Sequence, residues 1–411
     1  MKQHRELSPM RSGPESVATP SRSRATDPPE GEQSMTENVP DTRVRRGLVG
    51  VTADTTSISD VDPCHNVLLY RGYPASELAE SHTFVEVAHL LWTGELPDPV
   101  ELAELERRER AQRMLAPELE RLLLALPTDC HPMDVLRTAV SWIGSADPAT
   151  TDRSAEASAD KTVHLLAVLP TVVALDQRRR RGQRPIAPRE DLGHAENVFH
   201  MTFGAIPEPE IVRAFEAAMI LYAEHSFSAS TFAARTVTST RSDLYSAVVA
   251  ALGALKGELH GGANEAVMNQ FDDIGDPDRV DEWLTARLEA GDTVMGFGHR
   301  VYKRGDSRVP ALHARMRRVA EMRDERALMA HYEVLAGAML REKGLRPNLD
   351  YAAGSLFHLM GFDTPMFTAL FAVSRISGWT AHVIEQAADN ILIRPVARYA
   401  GKARREVLAI R

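Results

Sequence analysis

Apolar side chains recur every three or four residues through most of this chain of 411 residues, and this spacing constrains its fold most strongly. Such a period places the apolar residues on one face of a helix, and that face must pack against other elements. The clearest segments are residues 84–97, 106–127, 209–226, 280–291 and 311–344. We therefore predict an almost all-α protein that is large enough to enclose a cleft.

The segments between the predicted helices carry two further signals. β-branched and polar residues alternate over residues 48–61, which predicts a small strand or hairpin. Four consecutive arginines, Arg178–Arg181, stand in a connector that contains glycine and proline. Because the chain is acidic overall and no aromatic side chains interleave with these arginines, we interpret the run as a solvated helix end.

Residues 1–45 differ from the rest of the chain in composition. Serine, proline, arginine, glutamate and threonine dominate, and large apolar side chains are almost missing. Such a segment cannot bury enough surface to fold, so we expect a disordered tail. Its acidic residues argue against an organelle transit peptide, and it lacks the apolar core of a secretory signal. Met35 is an alternative start position.

The charge and cysteine content narrow the class of protein. A formal net charge of -9 argues against an extended nucleic-acid-binding surface. Every long apolar segment is interrupted by charge, so we expect no membrane span. Cys64 and Cys130 form neither a CxxC pair nor a disulfide framework, which favours the reducing cytoplasm. Phosphate-cradle, zinc-protease and serine-hydrolase motifs are missing from the sequence.

Two histidines stand beside glycines. His260 directly precedes two glycines in LHGGANE, and His299 directly follows Gly298 in GFGHRVYKRGDSR. Glycine weakens a helix but lets the backbone approach a ligand closely. Arginines follow His299, and guanidinium groups hold planar anions through paired hydrogen bonds. The pattern predicts a site for a small acid.

The remaining candidates each have an ordinary alternative. His225 ends a helical pattern and is also typical of a histidine at a helix C-terminus. Asp350 follows Pro347 and Asn348 and also fits a turn aspartate. Arg375 lies in an apolar helical segment, where a buried guanidinium needs a partner. Three such cations, Arg308, Arg375 and Arg394, are enough to bind one multiply charged carboxylate.

Five motifs, in order, resemble the citrate synthase family. They are LHGGANE, GFGHRVYKRGDSR, NLDYAAG, SRISGWTAHVIEQ and IRPVARYAG, and the resemblance covers about residues 47–411. Within the family, residues 128–144, 220–235, 242–257 and 305–310 are most similar to 2-methylcitrate synthases.

The resemblance implies a citrate synthase-like fold of two helical domains. Residues 46–263 and 369–411 would form the large domain and a C-terminal arm, and residues 264–368 an inserted small domain. Closure of the small domain would exclude water and bring Asp350 and His299 against His260.

The resemblance also implies a reaction, in which an acyl-CoA is joined to oxaloacetate and the thioester is then hydrolysed. Asp350 would remove the proton beside the thioester carbonyl while His260 donates a hydrogen bond to the carbonyl oxygen. His299 would polarise the oxaloacetate ketone. His225 would also contact oxaloacetate.

Arginines and lysines of the motifs are assigned to charged parts of the substrates by the same resemblance. Arg308, Arg375 and Arg394 would bind carboxylates, with Arg394 supplied by the neighbouring subunit of a homodimer. Lys303 and Lys343 would contact the phosphates of CoA, although a solvated surface charge explains either lysine equally well. Neither a metal nor a cofactor is expected, since CoA enters with the substrate.

The chain departs from the family pattern at three places. Ser228 replaces a common asparagine, Val396 replaces an arginine after the Arg–Pro pair, and residues 352–358 differ after Asp350. The first and third changes lie near the expected pocket, so we expect them to shift the acyl-chain preference.

Several functions stay open at this point. A 2-methylcitrate synthase that uses propionyl-CoA is the leading hypothesis. A citrate synthase that uses acetyl-CoA comes next, because one methylene in an apolar pocket is worth only about 1 to 3 kcal/mol. A non-catalytic sensor of CoA or dicarboxylates is disfavoured by the retention of Asp350 and both histidines. A binding module formed by the tail depends on residues 1–45 alone.

Overall fold

A computed structural model describes residues 44–406, so almost all of the predicted disordered tail lies outside the described residues. The described chain divides into two compact units. One contains residues 44–51 and 398–406, and the other is Thr52–Ala397. The first unit is coil apart from a short 3-10 turn at Arg46–Leu48. All candidate site residues belong to the second unit, and its division into a large and an inserted small domain stays a prediction.

The second unit is mainly helical, which confirms the all-α fold class. Many helices begin at a proline in their first turn, where the missing amide donor costs nothing. Its helices are α1 (Ala75–Ser81), α2 (Phe84–Thr93), α3 (Pro99–Ala111), α4 (Pro117–Leu124), α5 (Pro132–Ala146), α6 (Ala155–Arg180), α7 (His194–Phe203), α8 (Pro209–Ala223), α9 (Ala229–Ser239), α10 (Leu244–Leu255), α11 (Ala263–Ile274), α12 (Val280–Ala290), α13 (Val309–Arg323), α14 (Arg326–Lys343), α15 (Leu349–Leu359) and α16 (Phe367–Ala388).

A small antiparallel sheet precedes the helices. It consists of β1 (Ser59–Asp62), β2 (Val67–Tyr70) and β3 (Tyr73–Pro74) in that order. Ser59 pairs with Tyr70, and Asp62 with Val67. The strand predicted over residues 48–61 is therefore confirmed only at its end. The buried Tyr70 hydroxyl donates to the backbone carbonyl of Glu224 at 2.9 Å, which fixes the sheet to the chain just after α8.

Two segments that the apolar period marks as continuous are each divided into two helices. Residues 106–127 contain the end of α3 and all of α4, separated by residues 112–116. Pro117 begins α4 and disfavours a helical conformation at the residue before it. Residues 311–344 are divided where Asp324 adopts a left-handed conformation, with φ of 53°, and ends α13. Apolar spacing continues across both breaks, so the period alone did not reveal them.

The interpretation of the arginine run as a solvated helix end is confirmed for the helix end but is wrong about the solvation of Arg179. α6 does end at Arg180, but Arg179 is buried. The Nε atoms of Arg179 and Arg180 donate to opposite oxygens of buried Asp176, at 2.6 and 2.8 Å. Arg181 makes an ion pair with Asp363 at 2.7 Å. The remaining donors of Arg179 and Arg180 bind carbonyls of the loop before α5, so the run fastens the end of α6 to its neighbours.

Helix α16 passes through the middle of the core. Almost every residue from Phe367 to Val383 is buried, and the helix packs on α2, α6, α8, α9 and α10. A Cβ atom at Gly378 would overlap the backbone carbonyl oxygen of Ala223. Glycine at this position therefore permits α16 to approach the end of α8 closely.

One described helix, α6, meets the length and composition of a membrane span, which we did not expect from the sequence. In its most apolar window, 78% of the residues are buried inside the protein. This is the environment of a core helix.

We predict that Arg179→Ala strongly destabilises the protein. The substitution leaves the buried Asp176 carboxylate with one cation fewer and frees carbonyls that Arg179 binds, so a loss of about 3 to 5 kcal/mol is expected. Chemical unfolding measures the change. Arg107→Ala is the control, because Arg107 pairs with Glu104 at the solvent-exposed surface, where an ion pair contributes little to stability. Equal losses in the two variants would contradict this role for the arginine run.

Candidate active site

The predicted histidines and Asp350 come together where α8 ends and α15 begins. The rings of His225 and His299 lie 5.0 Å apart between centroids. Tyr222, in the last turn of α8, donates a hydrogen bond to Asp350 at 2.7 Å. The ring of His260 lies 6.4 Å from that of Phe371 on α16. Residues separated by more than a hundred positions thus line one region of the second unit.

The loop before α13 presents His299 with a defined tautomer. Gly296 and Gly298 have φ values of 87° and 73°, which other residues rarely adopt. The Nδ1 atom of His299 accepts from the backbone N–H groups of Val301 and Tyr302, at 3.1 and 3.3 Å. Burial, with help from nearby cations, lowers the pKa of His299 to about 4. At neutral pH the ring is therefore neutral and carries its proton on Nε2 as a donor.

His260 has the opposite tautomer. Its Nε2 atom accepts from the backbone N–H of Ser230 at 3.2 Å and lies 2.8 Å from the Ser230 hydroxyl. Burial, and then the charge of Arg375, lowers the pKa of His260 to about 4. The neutral ring therefore presents its Nδ1–H as a donor.

The structure explains Gly261, the residue after His260, by local packing and not by approach of a ligand. A Cβ atom at Gly261 would overlap the backbone carbonyl of Leu255, to which the Gly261 N–H donates at 2.9 Å. This residue permits a tight turn of the chain on itself. Contact with the Leu255 backbone is therefore sufficient to explain a glycine here, without a ligand close to it.

Asp350 lies in the first turn of α15, which Asn348 caps by accepting from the Asp350 N–H. Burial raises the pKa of Asp350 to about 6, against opposing effects from the Tyr222 hydrogen bond and from Arg308. Tyr222 bonds Oδ1. Among residues 44–406, Oδ2 accepts no hydrogen bond, so one carboxylate oxygen is open to a substrate.

The two buried arginines of the cluster are held differently. Arg308 makes a bidentate pair with buried Asp306, at 2.9 and 2.7 Å, which holds the pKa of that carboxyl far below its usual range. Arg375 makes no ion pair with any described residue. Its Nε donates to the Tyr222 carbonyl, and one Nη lies 3.3 Å from the Ser228 hydroxyl. Ser228, one of the departures from the family pattern, thus contacts a predicted carboxylate-binding residue.

The residue before His225, Glu224, is a buried group that the sequence did not single out. The neighbouring Glu224 side chain is fully buried and lies 2.9 Å from both His382 Nε2 and the Ser59 hydroxyl. Ser59 also accepts from the N–H of Ser226, which has a φ of 50°. Burial, and then the charge of Arg308, lowers the pKa of His225 well below its usual value, and its Nε2 has no partner in the described chain.

Arg394, Lys303 and Lys343 all lie at the surface. Arg394 is in exposed coil after α16. The Lys303 ammonium lies 3.4 Å from the carbonyl of Arg300 and is near enough to lower the pKa of His299. Lys343 is the last residue of α14, where the helix dipole stabilises a positive charge. The predicted substrate and CoA contacts of these residues stay predictions.

No metal site is evident in the part of the chain that the structure describes. Groups of three or more histidine, cysteine, aspartate or glutamate side chains arranged for a metal ion are lacking there. A cavity of about 750 Å³ between α4, α5, α6 and α10 contains none of the predicted residues.

Comparison with known proteins identifies the fold and the family. A family model described as the C-terminal domain of citrate synthase matches residues 47–396. The chain belongs to the citrate synthase family. A 2-methylcitrate synthase of Mycobacterium tuberculosis is 54% identical over 91% of this chain and 95% of its own length. A citrate synthase of Mycolicibacterium smegmatis is 52% identical over 89% of this chain and 97% of its own.

Solved structures agree with this family assignment. The citrate synthase of Thermotoga maritima, at 40% identity, has a TM-score of 0.80 over 89% of this chain and 98% of its own. The Thermoplasma acidophilum citrate synthase, solved as a ternary complex with carboxymethyl coenzyme A and oxaloacetate, is 30% identical to this chain. Its TM-score is 0.83, over 90% of this chain and 99% of its own. The family resemblance and the helical fold expected from the sequence are confirmed.

We predict that Asp350→Asn stabilises the fold above pH 6. The pKa of Asp350 is raised from 3.8 to about 6 in the folded protein, so its ionised form costs stability. This cost grows as the pH rises from about 4 to about 6, and the neutral amide avoids it. The variant should gain about 1 to 3 kcal/mol at pH 8, and less at pH 5, by chemical unfolding.

The exposed Asp272 on α11 provides the control for this comparison. Asp272→Asn should show no comparable gain at pH 8. An Asp350→Asn variant no more stable than the wild type at pH 8 would show that the carboxylate is not strained by burial.

Proposed function

We propose that this enzyme of the citrate synthase family condenses propionyl-CoA with oxaloacetate and water to give 2-methylcitrate and CoA. Its main support is the arrangement of Asp350 with two neutral histidines, His260 and His299, each fixed by backbone N–H groups to donate from one nitrogen. Identities of 48 to 54% to 2-methylcitrate synthases support the choice of product.

The first step is removal of a weakly acidic proton beside the thioester carbonyl. Asp350 is suited to this step, because a pKa of about 6 makes it a stronger base than an ordinary carboxylate while leaving it ionised at neutral pH. The Nδ1–H of His260 donates to the carbonyl oxygen, where negative charge develops. A preformed donor in a buried site stabilises that charge without reorganisation.

The second step is attack of the resulting carbon on the oxaloacetate ketone. His299 donates from Nε2 to the ketone oxygen as this oxygen becomes negative. Arg308 and Arg375 hold the carboxylates, and Arg375 is the better placed to form a new ion pair because no described carboxylate already occupies it. His225 supplies a further contact through its unpartnered Nε2. Water then hydrolyses the thioester and releases CoA.

A homodimer completes this proposal. Arg308 is already neutralised by Asp306, so binding of a dianion benefits from a further cation. Arg394 of the neighbouring subunit is proposed to supply it from the exposed coil after α16. Lys303 and Lys343 are proposed to contact the CoA phosphates. No metal or cofactor takes part in this scheme.

The proposed setting is propionate catabolism in the cytoplasm. Cys64 and Cys130 are both free thiols, which supports a reducing compartment. The propionyl donor that the enzyme consumes is the activated form of propionate.

Citrate synthase activity on acetyl-CoA is the second candidate function. It is favoured by the 52% identity to the citrate synthase of Mycolicibacterium smegmatis, close to the 54% to the 2-methylcitrate synthase. A pocket that accepts the propionyl chain also has room for the acetyl group, so some activity on both donors is expected.

Thiol release from CoA tests the proposed function. With propionyl-CoA, release should depend on oxaloacetate, and kcat/KM should exceed the value for acetyl-CoA about tenfold. A preference for acetyl-CoA would favour the second candidate. If neither propionyl-CoA nor acetyl-CoA gives thiol release that depends on oxaloacetate, both proposed enzyme activities are contradicted and a non-catalytic sensor is favoured.

Substitutions locate this activity in the cluster. Asp350→Ala and His299→Ala should each reduce turnover by about 10² to 10⁴ while the protein stays folded. His358→Ala is the matched control, because His358 is exposed on the same helix as Asp350 and should leave turnover unchanged. Wild-type turnover in either of the first two variants would contradict the assigned roles.

A further inference from the structure

Tyr222 is a buried side chain in direct contact with the proposed base. It lies in the last turn of α8, and its ring centroid is 4.0 Å from that of Phe371 and 6.3 Å from that of Phe357. Its hydroxyl donates to Oδ1 of Asp350 at 2.7 Å. The two neighbouring rings restrict the phenol, so the direction of this hydrogen bond is fixed by the core.

A second group approaches the Tyr222 hydroxyl. The buried Asn264 amide is near enough to the phenol oxygen to lower the pKa of Tyr222, yet neither amide atom completes a hydrogen bond within residues 44–406. Gly354 permits this approach, because a Cβ atom there would overlap the Asn264 carbonyl and separate α11 from α15. The phenol proton therefore points to Asp350 while the amide lies beside the oxygen.

Tyr222 can act only as a donor in this arrangement. Burial and the nearby Asp350 carboxylate raise the pKa of Tyr222 well above its usual value. The phenol thus keeps its proton throughout the neutral range. It neither takes nor supplies the proton that the reaction moves.

We propose that Tyr222 is a positioning residue for the base, whose hydroxyl holds Oδ1 of Asp350 and leaves Oδ2 to take the proton from the acyl-CoA. This inference rests on the proposed function, because it assumes that Asp350 is the base. A carboxylate held by one oxygen has a fixed orientation, which matters since proton transfer requires hydrogen-bond reach.

The same hydrogen bond favours the ionised form of Asp350. The groups that face Asp350 are Tyr222 from α8, Arg308 and Asp306 from the loop that leads into α13, and Arg375 from α16. Burial disfavours ionisation, and the two arginines and the phenol oppose that effect. Removal of the phenol hydroxyl should therefore raise the pKa of Asp350 and protonate the base at a higher pH.

The pH profile of kcat/KM for propionyl-CoA tests this role with Tyr222→Phe. The wild-type profile should fall below about pH 6, where Asp350 takes up a proton. In the variant, the acid limb should shift upward by about one unit. The loss should therefore be about tenfold at pH 5 and should decrease towards pH 9.

Tyr245→Phe is the matched control. The Tyr245 hydroxyl also donates to an aspartate at 2.7 Å, but its partner is Asp147, which is not part of the candidate site. This variant should keep the wild-type acid limb. A Tyr222→Phe limb that coincides with the wild type, or an equal shift in Tyr245→Phe, would overturn the inference.

Two further comparisons keep the result interpretable. If Tyr222→Phe does not fold, Tyr222→Met, which also lacks the donor, should shift the limb in the same direction. The proposed function fails if the wild type shows no oxaloacetate-dependent thiol release. The inference alone fails if the wild type is active, Asp350→Ala is inactive, and removal of the phenol donor leaves the limb unmoved.

Discussion

The close packing of α16 against the end of α8 determines the position of most of the site. Gly378 permits this contact, since any side chain there would overlap the backbone of Ala223. The contact places Arg375 against the Tyr222 carbonyl and His382 against Glu224. From the end of α8 the chain continues directly to His225, so one helix contact orients both Arg375 and His225, two of the proposed oxaloacetate contacts.

Burial and hydrogen bonding give the carboxyl groups near the site different pKa values. Asp306 is satisfied by a bidentate arginine, and its carboxyl is strongly acidic. Glu224 is held by His382, and the pKa of its carboxyl is lowered. Asp350 has a single phenol donor to Oδ1, and burial raises its pKa to about 6. Of these three carboxylates, the one with the fewest compensating contacts, Asp350, is the one suited to accept a proton.

Local sequence pattern predicted the helices. The resemblance of five motifs to the citrate synthase family put the histidines, Asp350 and two arginines in one site, and the structure brings these residues together, while their roles stay predictions. Tyr222 and Glu224 were missed, because each resembles an ordinary residue of a helix end until its partner, far along the chain, is known. The run Arg178–Arg181 was misjudged for the same reason, since several acceptors of Arg179 and Arg180, apart from the nearby Asp176, are carbonyls of a distant loop.

A crystal structure with oxaloacetate and a non-reactive propionyl-CoA analogue tests the central claim most directly. The α-carbon of the acyl group should lie about 3 Å from Oδ2 of Asp350. The thioester and ketone oxygens should accept hydrogen bonds from His260 Nδ1 and His299 Nε2. A complex in which Asp350 faces bulk solvent, away from both histidines, would contradict the account.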